Sequence, residues 1–219
     1  MLRRRRGVMG QIKDLVIRAR APFLRARLTN RDFSILANNC WGGMIYRDRR
    51  LPYLSPTCGT YFFSKDYLRF LSDPHRYLAM ELEEVPVKES PYAEELISLH
   101  GENVVIGRMG DAEVVLLHYP TFAEAKAKWD RRKERIRWDN LLVKYSDQNR
   151  FEPEDFETFS RLKYPNKLFL TTNPDYKSDF TVVIPDEWHE GYAVDDIKSS
   201  FRIMNVNETL NNLKREKHD

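Results

Sequence analysis

The sequence FSILANNCWGG, residues 33–43, places a short apolar run directly before a polar turn that contains two glycines. The run at residues 33–37 has the length and composition of a buried β-strand. Side-chain amides follow it, and paired glycines let a backbone approach a ligand closely. Because ligands of open α/β sheets gather outside the carboxyl ends of the strands, the segment predicts a first strand and a candidate binding turn at residues 39–43.

Further apolar runs of strand length follow, at residues 104–106, 114–117, 141–145, 167–171 and 180–184. A turn is predicted between the first two, at residues 107–111. Signals for helix starts lie between the runs: Ser64 as a cap, Asp73 before Pro74, Thr121 with Glu124 three residues later, and Pro153. Short strands that alternate with helices predict an α/β domain with a mixed, partly parallel sheet and helices on both faces.

A basic segment precedes this domain. Residues 1–28 contain nine Arg or Lys and a single acidic residue, Asp14. The 219-residue chain has a formal net charge of only +3, so the remainder is mildly acidic. We divide the chain into a basic amphipathic N-terminal arm at residues 1–30, an α/β domain at residues 31–205 and a C-terminal helical tail at residues 206–219.

The arm has the spacing of an amphipathic helix, because Ile12, Leu15, Val16, Ala19 and Phe23 recur on one helical face. Such a helix suits an anionic membrane surface, near which each basic residue contributes roughly 1 kcal/mol. The alternative is a helix that packs on its own domain with its arginines in solvent.

The composition of the chain indicates the cellular compartment in which we expect the protein. No apolar stretch approaches the roughly 20 residues of a membrane-spanning helix, and no signal-peptide core follows the first arginines. The only cysteines are Cys40 and Cys58, which is too few for a disulfide framework in a chain of this length. We therefore expect a cytoplasmic protein that the arm can attach peripherally to the inner face of the cell membrane.

Several catalytic and binding motifs are missing from the sequence. It has no phosphate-binding loop, dinucleotide fingerprint, nucleophile elbow or cysteine–histidine zinc spacing. It also lacks an Asp-x-Asp pair, and nucleic-acid motifs are absent outside the arm. We expect neither a metal site nor a nucleic-acid partner.

Cys40, His118 and Asp111 are the candidate catalytic residues. Cys40 lies in the turn after the first strand, and His118 ends a later strand, so both could face one sheet edge. In this hypothesis His118 activates Cys40 or a sugar hydroxyl, and Asp111 orients the imidazole. The alternative is that Cys40 is a buried, inert residue and His118 a hydrogen-bonded structural one.

A second candidate segment is rich in tryptophan and charge, and it extends from Trp129 to Lys144. Arg132 and Lys144 could hold the phosphates of an activated donor, and the face of Trp129 could support a sugar. The alternative is an exposed helix whose charges pair with one another.

Three motifs together resemble a known bacterial family. The chain is similar to the exopolysaccharide biosynthesis proteins of domain of unknown function 1919 in several segments. These are residues 38–43, residues 51–56, His118-Tyr119 with residues 125–129 and Arg132, and residues 138–140. The likeness covers residues 31–184. It implies an α/β fold and an association with capsule or exopolysaccharide gene clusters, and it implies no established reaction.

The predicted substrate-binding residues combine these motifs with the strand ends: Asn38, Asn39, Trp41, Gly42, Gly43, Ser55, Tyr119, Trp129, Arg132, Asn140 and Lys144. We expect a transferase that carries out acyl transfer to a surface glycan or its lipid-linked precursor. The alternatives are a metal-independent glycosyl or phosphosugar transferase and a non-catalytic glycan-binding or assembly factor. The expected donor is an acyl-coenzyme A or a nucleotide sugar, and the expected partners are a glycan or activated-sugar substrate and an anionic membrane surface.

Overall fold

The computed structural model describes residues 8–185, 187 and 190–215, so that Arg3 to Arg6 and residues 216–219 lie outside it. The helices are α1 (Val8–Ala26), α2 (Trp41–Arg49), α3 (Ser64–Ser72), α4 (Pro74–Ala79), α5 (Ala93–His100), α6 (Phe122–Lys133), α7 (Pro153–Arg161), α8 (Asp196–Ile203) and α9 (Val206–Asn211). The strands are β1 (Ser34–Ala37), β2 (Glu83–Glu84), β3 (Ile106–Met109), β4 (Ala112–Val115), β5 (Leu141–Ser146), β6 (Lys167–Thr171) and β7 (Thr181–Val183).

The central sheet has four parallel strands in the order β1-β5-β6-β7. Ser34 pairs with Leu141, and Val143 pairs in turn with Lys167. β1 and β5 are buried along their whole length because helices cover both faces of the sheet. The predicted α/β class is therefore confirmed, including helices on both faces.

Alternate residues of each strand face opposite sides of this sheet, which therefore has one core cluster on each of its two faces. On one side Ile35, Leu142 and Leu170 pack with side chains of α2, α8 and α9. On the other side Leu36 and Val143 pack with α3, α4, α6 and α7. The first side is the one that receives the N-terminal arm.

A second sheet contains β2, β3 and β4 in antiparallel order. The predicted turn at residues 107–111 is too long, because Gly107 and Arg108 pair with Val114 and Glu113. The loop is the two residues Gly110 and Asp111. Gly110 has a φ of +60° and occupies the first loop position, where a two-residue hairpin favours glycine.

Two further boundaries differ from the sequence prediction. The binding turn predicted at residues 39–43 ends at Cys40, since Trp41 already begins α2. Ser64 is the first helical residue of α3 rather than its cap, and its hydroxyl donates to Asp155 Oδ2 at 2.5 Å. The predicted starts of α4, α6 and α7 are confirmed, with the Asp73 and Thr121 side chains accepting from backbone N–H groups.

The arm is helical, but its packed face is not the predicted one. Ala21 and Leu28 are fully buried, whereas Leu15, Val16 and Phe23 of the predicted apolar face are exposed by 67%, 47% and 58%. The side chain of Ile12, which completes that face, lies outside the described part. α1 thus packs on its own domain, as the alternative interpretation states, and it still presents an apolar face to solvent, while attachment to an anionic membrane surface stays a prediction. None of the described helices is long and apolar enough to cross a membrane.

Asparagine side chains join the arm to the end of the described chain. Asn211 Oδ1 accepts from the backbone N–H groups of Thr29 and Asn30, and its Nδ2 donates to the Arg27 carbonyl. Asn140, directly before β5, exchanges side-chain hydrogen bonds with Asn30. The arm, the central sheet and α9 are therefore held at one place.

The two glycines of α2 provide a matched test of its packing on β1. A Cβ at Gly42 would lie 2.9 Å from Cγ2 of Ile35, whereas a Cβ at Gly43 would meet Cys58 Cα at an ordinary 3.5 Å. Alanine raises helix propensity by about 1 kcal/mol at either position, and overpacking costs about 1–3 kcal/mol at Gly42 alone. We expect Gly42→Ala to have a free energy of unfolding about 2 kcal/mol below that of Gly43→Ala in urea denaturation. Equal stabilities would contradict this packing.

Candidate functional site

A cleft of about 800 Å³ lies at the carboxyl ends of β1, β5 and β6, and we call it the carboxyl-end cleft. Asn39 and Cys40 follow β1, residues 147–151 follow β5, and Asn173 and Tyr176 follow β6. The segment that leads into α8 forms another wall, and Tyr61, Leu99 and Leu117 contribute from the antiparallel sheet and α5. This is the place where open parallel sheets hold ligands.

A buried ion pair lies beneath the cleft floor. Lys144 on β5 contacts the carboxylate of Asp196, the first residue of α8, and both side chains are almost wholly buried. The Lys144 ammonium also donates to Asn38 Oδ1 at 3.1 Å, Asn39 Oδ1 at 3.2 Å and Ser146 Oγ at 3.0 Å. Burial lowers the pKa of Lys144, while the Asp196 carboxylate opposes that shift.

Asn39 connects this ion pair to the cleft wall. Its Nδ2 donates to both carboxylate oxygens of Asp196 at 3.0 and 2.9 Å and to Gln148 Oε1 at 2.7 Å. Gln148 in turn donates to the carbonyls of Ala193 and Val194. The amide network thus holds the strand ends against the segment before α8.

The loop after β5 has an unusual backbone. Asn149 and Arg150 are consecutive non-glycine residues in the left-handed region, with φ values of +57° and +60°. Such residues are disfavoured by about 1–2 kcal/mol each and are common at functional sites. Asn149 is held by a bond from its Nδ2 to the Phe62 carbonyl, and Arg150 pairs with Glu95 at 2.7 Å.

Asp147 anchors the cleft wall from below. Its carboxylate accepts from Thr171 Oγ1 at 2.6 Å and from the backbone N–H groups of Thr172 and Ala193 at 3.2 and 2.8 Å. Burial raises the pKa of Asp147, and these three donors oppose the shift because they stabilise its ionised form. The residue joins β5, β6 and the segment before α8.

Cys40 lines the cleft as predicted, but its environment disfavours the thiolate. Its Sγ lies 3.7 Å from the Thr60 carbonyl. Burial raises the pKa of Cys40 to about 11, the nearby Asp196 carboxylate adds to the increase, and Lys144 only partly opposes it. The thiol is therefore protonated at neutral pH.

The structure does not assemble the proposed catalytic trio. His118 donates its backbone N–H to Gly59, next to the residue that Cys40 contacts, yet its ring is not part of the cleft lining. Burial and the Arg47 cation lower the pKa of His118. Asp111 lies in the β3–β4 loop, at the opposite end of β4, where it accepts from the Tyr77 hydroxyl at 2.6 Å. It cannot orient His118.

Arg132 and Tyr119 serve the fold rather than the cleft. The buried Arg132 guanidinium donates to the Cys58 carbonyl at 3.0 Å and to the Tyr119 hydroxyl at 2.7 Å, and it stacks on Tyr53. The Tyr119 hydroxyl donates to the same Cys58 carbonyl at 2.6 Å. Arg132 therefore supports the loop between α2 and α3 and does not present its charge to a phosphate.

The other predicted binding residues lie away from the cleft. Trp129 is in the core, and Trp41 is buried with its Nε1 donating to Ser200. Ser55 bonds to Thr57, Asn140 bonds to Asn30 and Asp32, Gly42 permits close packing of α2 on β1, and Gly43 adjoins Cys58. Among the predicted residues, Asn39 and Cys40 line the cleft, and Asn38 and Lys144 lie directly beneath it.

The sequence prediction missed Asp196, Gln148 and the loop after β5. Asp196 begins a helix and follows a segment without strong periodicity, so no local pattern links it to Lys144. The run of polar residues directly after the 141–145 strand could have indicated residues 147–149, by the rule that was applied to Asn38 and Asn39. Across the described residues, no group of three or more His, Cys, Asp or Glu is placed to hold a metal ion.

The raised pKa of Cys40 predicts slow alkylation. In a Cys58→Ser background at pH 7, we expect iodoacetamide to modify Cys40 at least about 100-fold more slowly than it modifies N-acetylcysteine, because the thiolate fraction falls about tenfold for each unit of pKa. The rate should rise as the pH approaches 11, and mass spectrometry at timed intervals measures it. Rapid reaction at pH 7 would show an activated thiol and reverse this conclusion.

Comparison with known proteins identifies the family. Residues 12–214 match the family described as "Domain of unknown function (DUF1919)", a longer span than the resemblance at residues 31–184. An uncharacterized protein of Haemophilus influenzae is 29% identical over 151 residues, which cover 69% of this chain and 67% of that protein. The matched region contains the whole carboxyl-end cleft, together with most of α1 and all of α9. The chain belongs to the DUF1919 family.

Proposed function

We propose that this protein acts in the cytoplasm in bacterial surface-polysaccharide biosynthesis, and that it binds a glycan or the sugar of a lipid-linked precursor in the carboxyl-end cleft. The observation that carries the proposal is the lining of the cleft, which combines side-chain amides and tyrosines with more carboxylates than cations. The resemblance of residues 31–184 to exopolysaccharide biosynthesis proteins supports the choice of process.

The uncharged residues of the lining suit a polyhydroxylated ligand. Asn149 and Asn173 carry amides, each of which is both a donor and an acceptor, as a sugar hydroxyl is. Tyr176 and Tyr192 add aromatic surfaces with a polar end, which can cover the apolar face of a ring. The volume of about 800 Å³ falls within the range of small-molecule sites.

The charges of the cleft disfavour a phosphate-bearing ligand. Glu95 pairs with Arg150, and Asp196 pairs with Lys144. Asp147 and Asp195 also line the cleft, and neither has an ion-pair partner among the described residues, so the net charge is negative. A neutral sugar therefore fits better than a nucleotide sugar or an acyl-coenzyme A.

Glycosyl transfer to the bound glycan is the second candidate, and Asp195 favours it. This partly exposed carboxylate caps α8 by accepting from Lys198 N at 2.9 Å, and it is positioned to take the proton of an acceptor hydroxyl. Acyl transfer through Cys40 has less support, because the thiol is protonated and the His118 ring lies outside the cleft lining.

Loss of one cleft amide should weaken saccharide binding. We expect Asn173→Ala to raise the dissociation constant for a bound mono- or oligosaccharide by about five- to tenfold, the effect of one lost hydrogen bond. Titration calorimetry or NMR against a saccharide panel measures the change. Asn103→Ala, at an exposed turn outside the cleft, is the matched control and should leave binding unchanged. Equal effects of the two variants, or tighter binding of nucleotide sugars and acyl-coenzyme A than of saccharides, would contradict the proposal.

Asp195→Asn tests the second candidate, since asparagine also caps helices well and the fold should persist. With glycan and a series of sugar donors present, we expect this variant to retain saccharide binding and to lose transfer, as followed by mass spectrometry of the glycan. Unchanged transfer in the variant would exclude Asp195 as the base, and no transfer by the wild-type protein with any donor would leave binding as the function.

A further inference from the structure

A second cavity, of about 760 Å³, opens between α1, the end of α2, α8 and α9. We call it the α1 groove. It lies on the side of the central sheet that receives α1, and it shares no lining residue with the carboxyl-end cleft. The residues that matter here are Arg20, Phe23, Arg27, Arg49, Lys198 and Arg202.

The groove is strongly basic. Five of its lining residues are Arg or Lys, and two are acidic, namely Asp48 and Glu208. Asp48 already pairs with Arg47 at 3.2 Å, and Arg202 pairs with Glu187. Lining of this kind attracts an anion and opposes the binding of a cation.

Arg49 is the residue that points to a specific ligand. Its side chain is buried, with only 5% of the residue exposed, and its Nε donates to Asn207 Oδ1 at 2.8 Å. It has no ion-pair partner among the residues that the structure describes. A buried charge without a counterion is costly, and burial accordingly lowers the pKa of Arg49, an effect that the neighbouring Asp48 only partly opposes. An anion in the groove would supply the missing counterion.

An apolar surface borders this basic groove. Leu15, Val16 and Phe23 project from α1 into solvent, and Phe23 also lines the groove. Arg27 stacks over the Phe23 ring at 4.3 Å, which places a cation beside the apolar face. Exposed apolar side chains next to basic ones are the pattern of a helix that lies in a membrane interface.

We propose that the α1 groove binds the phosphate of an anionic phospholipid headgroup at Arg49, while the exposed face of α1 enters the membrane interface. Arg20 and Arg27 add attraction to the anionic surface. The apolar border favours a lipid over a free phosphate, because a soluble anion would leave Leu15, Val16 and Phe23 exposed to water. This site is separate from the carboxyl-end cleft and does not depend on the function proposed for it.

The test is co-sedimentation of the full-length protein with vesicles of phosphatidylcholine, with or without phosphatidylglycerol. We expect binding to the anionic vesicles, and a decline as salt is added. Arg49→Met should reduce the partition coefficient by about fivefold, the equivalent of about 1 kcal/mol for one basic residue. Arg49→Lys should retain most of the binding because it keeps the charge.

Further variants separate lipid binding from loss of structure. Should Arg49→Met fail to fold, as circular dichroism would show, the exposed pair Arg20→Gln and Arg27→Gln should together lower binding by about 25-fold. Phe23→Ser should weaken binding without a change in charge. Arg161→Gln, on α7 at the other face of the sheet, is the matched control and should bind as the wild-type protein does.

Three results would overturn the proposal. The first is equal binding to neutral and anionic vesicles, and the second is wild-type binding by both Arg49→Met and Phe23→Ser. The third is saturable binding of inorganic phosphate or an oligonucleotide with no partition onto vesicles. The Arg49 variants should bind saccharides normally. A failure of the lipid proposal can therefore be distinguished from a failure of the cleft proposal.

Discussion

The buried ion pair between Lys144 and Asp196 is the contact around which the polar half of the structure is arranged. An ammonium group inside a sheet is tolerated only when its donors are satisfied, and here Asn38, Asn39, Ser146 and Asp196 supply the acceptors. These groups come from the ends of β1 and β5 and from the start of α8. The need to supply acceptors to the Lys144 ammonium therefore fixes the strand ends, brings α8 to the sheet and shapes the floor of the cleft.

Much of the fold could be predicted because both faces of a parallel sheet are buried. The runs at residues 33–37, 141–145 and 167–171 are mostly apolar, and each corresponds to a strand within one or two residues. The misplaced boundaries have tertiary causes. Gly107 extends β3 because it has strand partners on both sides, and Ser64 enters α3 because its hydroxyl bonds to Asp155. Neither contact can be inferred from the residues that are adjacent in the sequence.

Only the residues of the candidate site that directly follow a recognisable strand in the sequence could be predicted. Asn39 and Cys40 follow a recognisable strand, so the sheet rule places them correctly at its carboxyl end. Asp196 lies 52 residues from its partner and has no motif. Trp129 and Arg132 lie outside the cleft lining for a different reason: residue type does not reveal whether a large or charged side chain faces solvent, and both are buried here.

The asparagine contacts between the arm and α9 have a mechanical consequence. Since Asn211 bonds to Arg27, Thr29 and Asn30, the two ends of the described chain close upon each other. Detachment of either end breaks these shared hydrogen bonds, so the first and last helices should open together as one cooperative unit. A force that pulls on α1 at a bilayer would therefore be transmitted through these hydrogen bonds to α9.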